Sequence, residues 1–155
     1  MGWKTEDVGC DAIYIEGIDI VGKQRARTVR HGGITRSYTP KKTVDFERAI
    51  REAWLSQVGL RRRNHTGPVH MEIKYGRELA KSNPKFWSGR LDTGKPDASN
   101  VTKAVEDALN GVAYVDDSQI FLTACEKDIR QEHGSGNYIY VSVSYYEETY
   151  EKEQA

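Results

Sequence analysis

The sequence predicts a single domain of the α/β or α+β class, with a mixed four-stranded sheet and helices packed on it. Four segments alternate apolar and polar residues with the period of two that strands require, and two segments repeat apolar residues at helical spacing. They follow one another as strand, helix, strand, short helix, helix, strand, strand. The length of 155 residues is that of one domain.

The strand predictions depend on alternation. Ile13 and Ile15 alternate with polar neighbours, and Ile18 and Ile20 continue in the opposite phase, which places a bulge at Gly17. The other strands are predicted over residues 69–75, from residue 120, and over 139–145. The core is expected over about residues 12–146, within one domain of residues 1–155. We expect flexible ends, including a frayed Glu-rich C-terminus.

The helix predictions depend on apolar stripes. Thr43 is a candidate cap for a first helix, which the run Arg61–Asn64 ends. A second helix covers residues 99–111, with Asp97 or Ser99 as its cap and Asn110–Gly111 as its stop. Residues 77–95 are broken by Pro84 and predict a short helix and a loop. Residues 22–40 are rich in Arg, Gly and Thr and predict a loop.

Composition excludes several classes of protein. No run of 18 apolar residues exists, so no transmembrane helix is expected, and the first residues lack the apolar core of a signal peptide. Two cysteines cannot build a disulfide scaffold or a four-cysteine zinc site. We therefore expect a cytoplasmic protein with no membrane partner.

Charge is distributed unevenly along a chain whose formal net charge is zero. Residues 21–65 hold 12 Lys and Arg against three acids, whereas residues 92–155 hold five against 13. The first stretch, with a net charge of +9, suits a polyanion such as DNA. The second stretch would repel DNA unless a divalent cation masks it. The alternative to DNA binding is that the basic and acidic stretches form two oppositely charged faces that contact each other.

The segment 95–120 contains the residues most suited to chemistry. Asp97 precedes the second helix, Lys103 and Asp107 share one face of it, and Asp116–Asp117 open the next strand. A short return from the helix would bring Asp117 beside Asp97, and clustered carboxylates with a lysine are typical of a Mg²⁺ site that handles a phosphodiester. From the residues alone, a helix cap, a surface ion pair and a polar turn explain the same positions equally well.

The same segment resembles the signature of the RusA family of Holliday junction resolvases. That signature runs Pro-Asp-x-Asp-Asn, a Lys three residues on, Asp-Ala-Leu-Asn-Gly, and Asp-Asp-x-Gln. The matching residues here are Pro96, Asp97, Asn100, Lys103, Asp107 to Gly111, Asp116, Asp117 and Gln119. The N-terminal passages Ile18–Arg27 and Tyr38–Thr43 also resemble the family, so the resemblance covers about residues 12–146.

The resemblance implies a homodimeric, Mg²⁺-dependent endonuclease, often of phage or prophage type, that nicks two opposed strands of a four-way DNA junction. Mn²⁺ is an expected substitute. Asp97, Lys103 and Asp117 match the catalytic residues. The implied metal ligands are Asp97 and Asp117, with Asp116 or Ser99 assisting. Ser99 departs from the family, whose pattern has an aspartate there.

This departure leaves open a catalytically weak or inactive junction-binding protein on the same fold. A metal-dependent hydrolase of small phosphate esters is a further alternative, although the basic stretch is excessive for a small substrate. Phe86 and Trp87 are candidates for stacking on an unpaired base, with plain packing as the alternative for Trp87. The predicted DNA contacts are Lys23, Arg25, Arg27, Arg30, Arg36, Lys41, Lys42, Arg61, Arg62, Arg63, Lys85, Arg90 and Asn100.

Overall fold

A computed structural model describes residues 1–153 and confirms a mixed α+β fold with one four-stranded sheet and two helices. Two further short strands form a separate hairpin. The strands are β1 (Gly2–Glu16), β2 (Arg27–His31), β3 (Ile34–Tyr38), β4 (Val69–Gly76), β5 (Ile120–Lys127) and β6 (Tyr138–Glu151). The helices are α1 (Lys41–Gln57) and α2 (Ala98–Leu109), with one-turn 3₁₀ helices at Lys85–Trp87 and Asp117–Gln119.

The main sheet has the strand order β1-β6-β4-β5. Neighbours are antiparallel except β4 and β5, which run parallel because α2 lies on the connection between them. Strand β5 is at the edge of the sheet, and a short turn joins α2 to its start. The segment 95–120, which contains the candidate catalytic residues, therefore lies at that edge.

The core lies between the sheet and the two helices. In β4 and in residues 139–145 of β6 every second side chain is buried, as alternation predicts for strands with one face against a helix layer. In α1 the buried stripe includes Phe46, Ile50 and Trp54. In α2 the predicted apolar stripe is buried, which turns the opposite side of that helix toward solvent. The stripe consists of Val101, Ala104, Val105, Ala108 and Leu109.

Strands β1 and β6 extend further than the sequence predicts. β1 pairs with β6 from Gly2↔Glu151 to Glu16↔Tyr138, so the Glu-rich end is the continuation of a strand rather than a frayed tail. The predicted bulge at Gly17 is wrong, because β1 ends at Glu16 and residues 18–26 are not in a strand. The register shift lies instead between Asp7 and Gly9.

Residues 22–40 are not only a loop: they include the hairpin of β2 and β3. His31 pairs with Ile34 across Gly32 and Gly33, and both glycines have positive φ, at 57° and 81°. A two-residue turn with both φ values positive matches the twist of a hairpin and favours glycine. The Gly32–Gly33 pair between two short extended segments is therefore the sequence feature that indicates this hairpin.

The helix ends differ from the predicted ones for local reasons. Helix α1 begins after Pro40 with no side-chain cap, so Thr43 is not the cap but a buried residue of the first turn. The helix ends at Gln57, before Gly59, whose φ is 90°, rather than at the arginine run. The short helix of residues 77–95 is a single turn that follows Pro84. Within residues 1–153, no helix combines the length and apolar character that crossing a bilayer demands.

Candidate active site

Helix α2 provides the base of the site. Its buried stripe fixes the rotation of the helix, so Lys103 and Asp107 face outward one turn apart. Asp97 is the residue that precedes the first turn, but its carboxylate does not cap the helix. It accepts hydrogen bonds from the Lys95 ammonium instead, at 2.9 and 3.0 Å. Asp97 is therefore an exposed carboxylate with one lysine partner.

The turn after α2 holds Asp117 against the helix. The buried Tyr114 hydroxyl donates a 2.7 Å hydrogen bond to the Glu106 carbonyl and ties the turn to α2. Gln119 accepts hydrogen bonds from the backbone N–H groups of Val115 and Asp116, both at 2.9 Å. Its amide also donates to the carbonyls of residues 65 and 67, at 2.7 and 2.9 Å. Gln119 is therefore the residue that fixes this turn.

Lys103 lies between two carboxylates. Its ammonium is 3.1 Å from Asp107 Oδ1 and 3.3 Å from Asp117 Oδ2. The hydrogen bond to Asp107, assisted by the one to Asp117, raises the pKa of Lys103 despite partial desolvation. The lysine therefore stays protonated at neutral pH. The structure thus brings two of the predicted catalytic residues, Lys103 and Asp117, into direct contact.

A second lysine, Lys23, contacts the same carboxylate of Asp107 that Lys103 contacts. Lys23 was predicted to contact DNA, yet its ammonium lies 2.7 Å from Glu47 of α1 and 3.0 Å from Asp107. Partial burial lowers the pKa of Lys23, but hydrogen bonds to these two carboxylates outweigh it and the net shift is upward. For Asp107, burial raises the pKa, but the two lysines outweigh it and the net shift is downward.

Glu106 is a half-buried carboxyl that the sequence analysis overlooked. Burial raises its pKa, and the hydroxyl of Thr123 on β5 donates to its Oε1 at 3.3 Å. Its neighbours Asp107 and Asp117 are also acidic and add to the upward shift. The only sequence sign of this carboxyl was its place beside Asp107, on the border of the apolar stripe of α2.

The remaining predicted metal ligands are not gathered into one cluster. The Asp116 carboxylate accepts hydrogen bonds from the backbone N–H and hydroxyl of Ser118 and caps the short helix 117–119, which lowers its pKa. Ser99 is exposed in the first turn of α2. Among residues 1–153, no three His, Cys, Asp or Glu side chains are grouped as a metal site. Asp97 and Asp117 share no contact partner, since Asp97 pairs with Lys95 and Asp117 with Lys103.

Comparison with protein-family models assigns most of the chain, including the candidate active site, to one family. The model of the family described as endodeoxyribonuclease RusA matches residues 18–143, which include Lys23, α2 and the turn that carries Asp117. The chain belongs to the RusA family. It is also 43% identical over 63 residues to the uncharacterized protein YqaN of Bacillus subtilis (strain 168). That match covers 36% of this chain and 44% of YqaN, so it spans less than half of the relative's length.

The RusA match includes the hairpin of β2 and β3, which we call the basic hairpin, and the predicted DNA contacts in it and just before it are exposed. Within residues 1–153, the side chains of Arg25, Arg27, Arg30 and Arg36 form no ion pair or hydrogen bond with the protein. Exposed guanidinium groups of this kind remain available for phosphates.

Other predicted DNA contacts already have protein partners. Arg61 pairs with the buried carboxylate of Asp11. Arg62 donates to the Val8 carbonyl at 3.0 Å and lies over the Tyr145 ring. These two arginines therefore help to hold the segment after α1 on β1 and β6. Lys41 pairs with Asp45 at 3.4 Å in an exposed helix pair, whereas Lys42, Arg63, Lys85 and Asn100 are exposed.

The two candidate stacking rings of this RusA-family chain have different surroundings. The Trp87 ring is covered by the Arg90 guanidinium, whose carbon lies 4.9 Å from the ring centroid. Phe86 is 80% exposed and has no aromatic partner among the described residues. Lys85 precedes it and Arg90 follows within the same loop. Phe86 is therefore the ring that is free to contact a ligand.

Proposed function

We propose that this RusA-family chain is a Mg²⁺-dependent, structure-selective endonuclease that resolves Holliday junctions in DNA recombination and repair. The observation that supports this most directly is the contact of Lys103 with Asp117 on the solvent-facing side of α2, in a chain whose basic hairpin is free to bind DNA. The reaction is hydrolysis of one phosphodiester bond in each of two opposed strands. We place it in the cytoplasm.

The donor groups fit Mg²⁺ in kind, and Mn²⁺ is expected to substitute. Mg²⁺ takes oxygen ligands and is often held by one or two carboxylates, with waters and substrate phosphate completing the shell. Asp97 and Asp117 are accessible carboxylates that would hold it. Asp116 and Ser99 remain proposed as assisting ligands, although the Asp116 carboxylate would have to leave its capping role. When bound, Mg²⁺ supplies an activated water and neutralises charge on the phosphate.

Lys103 contributes a fixed positive charge. Its contacts with Asp107 and Asp117 keep it protonated and limit the positions that its flexible side chain can take. A lysine is a compact point charge, suited to stabilising the negative charge that builds on the phosphate oxygens during hydrolysis. We assign this role to Lys103.

The basic hairpin supplies affinity for the junction. Its arginines are spread over both strands and the preceding segment, so several phosphates can be contacted at once. Each such contact releases counterions, so binding should weaken steeply as salt concentration rises. Two copies related by a twofold axis would present two sites to two opposed strands, and we propose a homodimer for this reason.

A second candidate function is supported by Ser99. The hydroxyl is a weaker Mg²⁺ ligand than a carboxylate, and it stands where the RusA pattern has an aspartate. A protein that binds junctions tightly and cuts them slowly or not at all would result. In that case Ser99→Asp is expected to increase cleavage, since it adds a carboxylate two residues from Asp97.

Cleavage of a labelled four-way junction tests the proposal. The wild type, Asp117→Asn and Glu126→Gln are compared on the junction and on matched duplex, each with Mg²⁺, Mn²⁺ or EDTA. Glu126 is an exposed acid paired with Lys74 on the sheet, away from α2, and serves as the control. We expect paired, metal-dependent nicks in the junction from the wild type and Glu126→Gln. Unchanged cutting by Asp117→Asn would refute the assignment, and junction binding without cutting by the wild type would favour the second candidate.

A further inference from the structure

A chain of five alternating charges crosses the site. It runs from Glu47 on α1 to Lys23, then to Asp107 and Lys103 on α2, and ends at Asp117. Successive charged atoms are 2.7, 3.0, 3.1 and 3.3 Å apart. Every member therefore contacts a group of opposite charge, and the three inner members, Lys23, Asp107 and Lys103, each contact two.

Lys23 differs from the other basic residues of its segment. Its side chain is only 30% exposed and contacts two carboxylates. Among the described residues, the four arginines between residues 25 and 36 are exposed and have no acidic partner. A phosphate contact would require Lys23 to leave both partners. The geometry is that of an internal clamp rather than of a DNA-binding side chain.

The backbone also fixes Lys23 against α2. Its N–H donates a 2.8 Å hydrogen bond to the Asn100 carbonyl in the first turn of the helix. Gly22, just before it, packs so closely that a Cβ there would lie 2.8 Å from the Asn100 Cβ. The segment therefore has to lie flat on the start of α2, which delivers the Lys23 ammonium to Asp107.

The charges explain why such a clamp would matter. Lys103 has two acidic neighbours, and an Asp107 with no other cation would draw it away from Asp117. Lys23 shares the charge of Asp107 and so weakens that competition. The five groups carry three negative and two positive charges, so the chain of charges has a net charge of −1.

We propose that Lys23 is a positioning residue of this active site: through Asp107, and held by Glu47, it keeps Lys103 against Asp117. This inference rests on the proposed nuclease function. It reassigns Lys23 from the DNA-binding surface to the reaction centre and gives Asp107 the role of connecting the two lysines.

Junction binding and cleavage by Lys23→Met separate the two roles of this residue. The affinity of the wild type, Lys23→Met, Lys23→Arg and Arg30→Met is measured over a range of salt concentrations in EDTA, where no cutting occurs. Single-turnover cleavage is then measured in Mg²⁺ at saturating protein. Arg30 is the matched control because it is an exposed hairpin residue with no protein partner among residues 1–153.

A positioning role predicts that Lys23→Met keeps the salt dependence of the wild type and loses about 10- to 100-fold in cleavage rate. Lys23→Arg should recover part of that loss, because it restores a cation beside Asp107. Arg30→Met should instead lose affinity for the junction, with a salt slope lower by about one unit, and the cleavage that it loses at low protein concentration should return as the protein approaches saturation. The inference is overturned if Lys23→Met behaves like Arg30→Met.

Failure of the proposed nuclease function can be distinguished from failure of the proposed role of Lys23. If the wild type does not cut, the salt slopes still decide whether Lys23 contacts phosphate. A thermodynamic cycle of Lys23→Met and Asp107→Asn in urea unfolding then tests the clamp itself. Non-additive changes in unfolding free energy would support it, and additive changes would overturn it.

Discussion

Replacing Gln119 by Ala should loosen the turn that carries Asp117. The side chain makes four hydrogen bonds, two accepted from backbone N–H groups of the turn and two donated to the carbonyls of His65 and Gly67. Val115 and Asp116 are exposed, so water can replace the amide oxygen at their N–H groups. The carbonyls of His65 and Gly67 are partly buried, and each lost bond there costs about 1 kcal/mol. We therefore expect a loss of about 2 kcal/mol in unfolding free energy.

Urea unfolding and junction cleavage test this prediction together. Gln24→Ala is the matched control, because Gln24 is exposed and makes no side-chain hydrogen bond among residues 1–153. Gln119→Glu is a second variant: it keeps an acceptor for the turn but places carboxylate oxygens against two carbonyls. Both Gln119 variants should also cut more slowly, since Asp117 is no longer held beside Lys103. A change of less than about 0.5 kcal/mol for Gln119→Ala would refute the reasoning.

Three further predictions concern other parts of the chain. Asp92→Asn should cost about 3–5 kcal/mol in urea unfolding, because it leaves the partly buried Arg77 without the carboxylate that binds it through two 2.7 Å hydrogen bonds. A cost near zero would contradict that reading. Phe86→Ala should weaken binding to a junction by about 1–3 kcal/mol if the ring stacks on a base, with duplex affinity and stability unchanged; equal loss on duplex would argue against stacking. The raised pKa of Glu106 means that this carboxyl binds a proton more tightly in the folded state than in the unfolded state. The unfolding free energy of the wild type should therefore fall as the pH rises above the ordinary glutamate pKa. Relative to the wild type, Glu106→Gln should therefore gain unfolding free energy as the pH rises above the ordinary glutamate pKa of about 4.3, and a difference that does not change with pH would exclude the effect.

The uneven charge of the chain has two structural outcomes. Part of the basic stretch meets acidic groups: Lys23 pairs with Asp107, and Arg61 pairs with the buried Asp11. The hairpin arginines instead face solvent. Opposite charges therefore meet in one part of the basic stretch, and only the hairpin arginines remain available for a polyanion.

Local patterns were sufficient for the parts of the fold with strong periodicity. The stripe of α2 and the alternation of β4 and β6 are buried as predicted, because one face of each element is in contact with the core. Patterns failed where pairing rather than burial decides the structure. The residues of β2 and β3 are all exposed, and most of β1 and the end of β6 are exposed, so no apolar alternation marks them as strands.

The sequence by itself determined the family and the segment in which chemistry is expected, because the spacing from Asp97 to Gln119 lies within one helix and one turn. Only the tertiary structure decided which charges meet. Lys23 and Glu47 are far from Asp107 in sequence. Lys23 reaches Asp107 because Gly22 lies flat on α2, and Glu47 reaches Lys23 because α1 packs beside that helix. Ion pairs depend on distances of a few ångströms, and the folding of distant segments onto one another sets those distances.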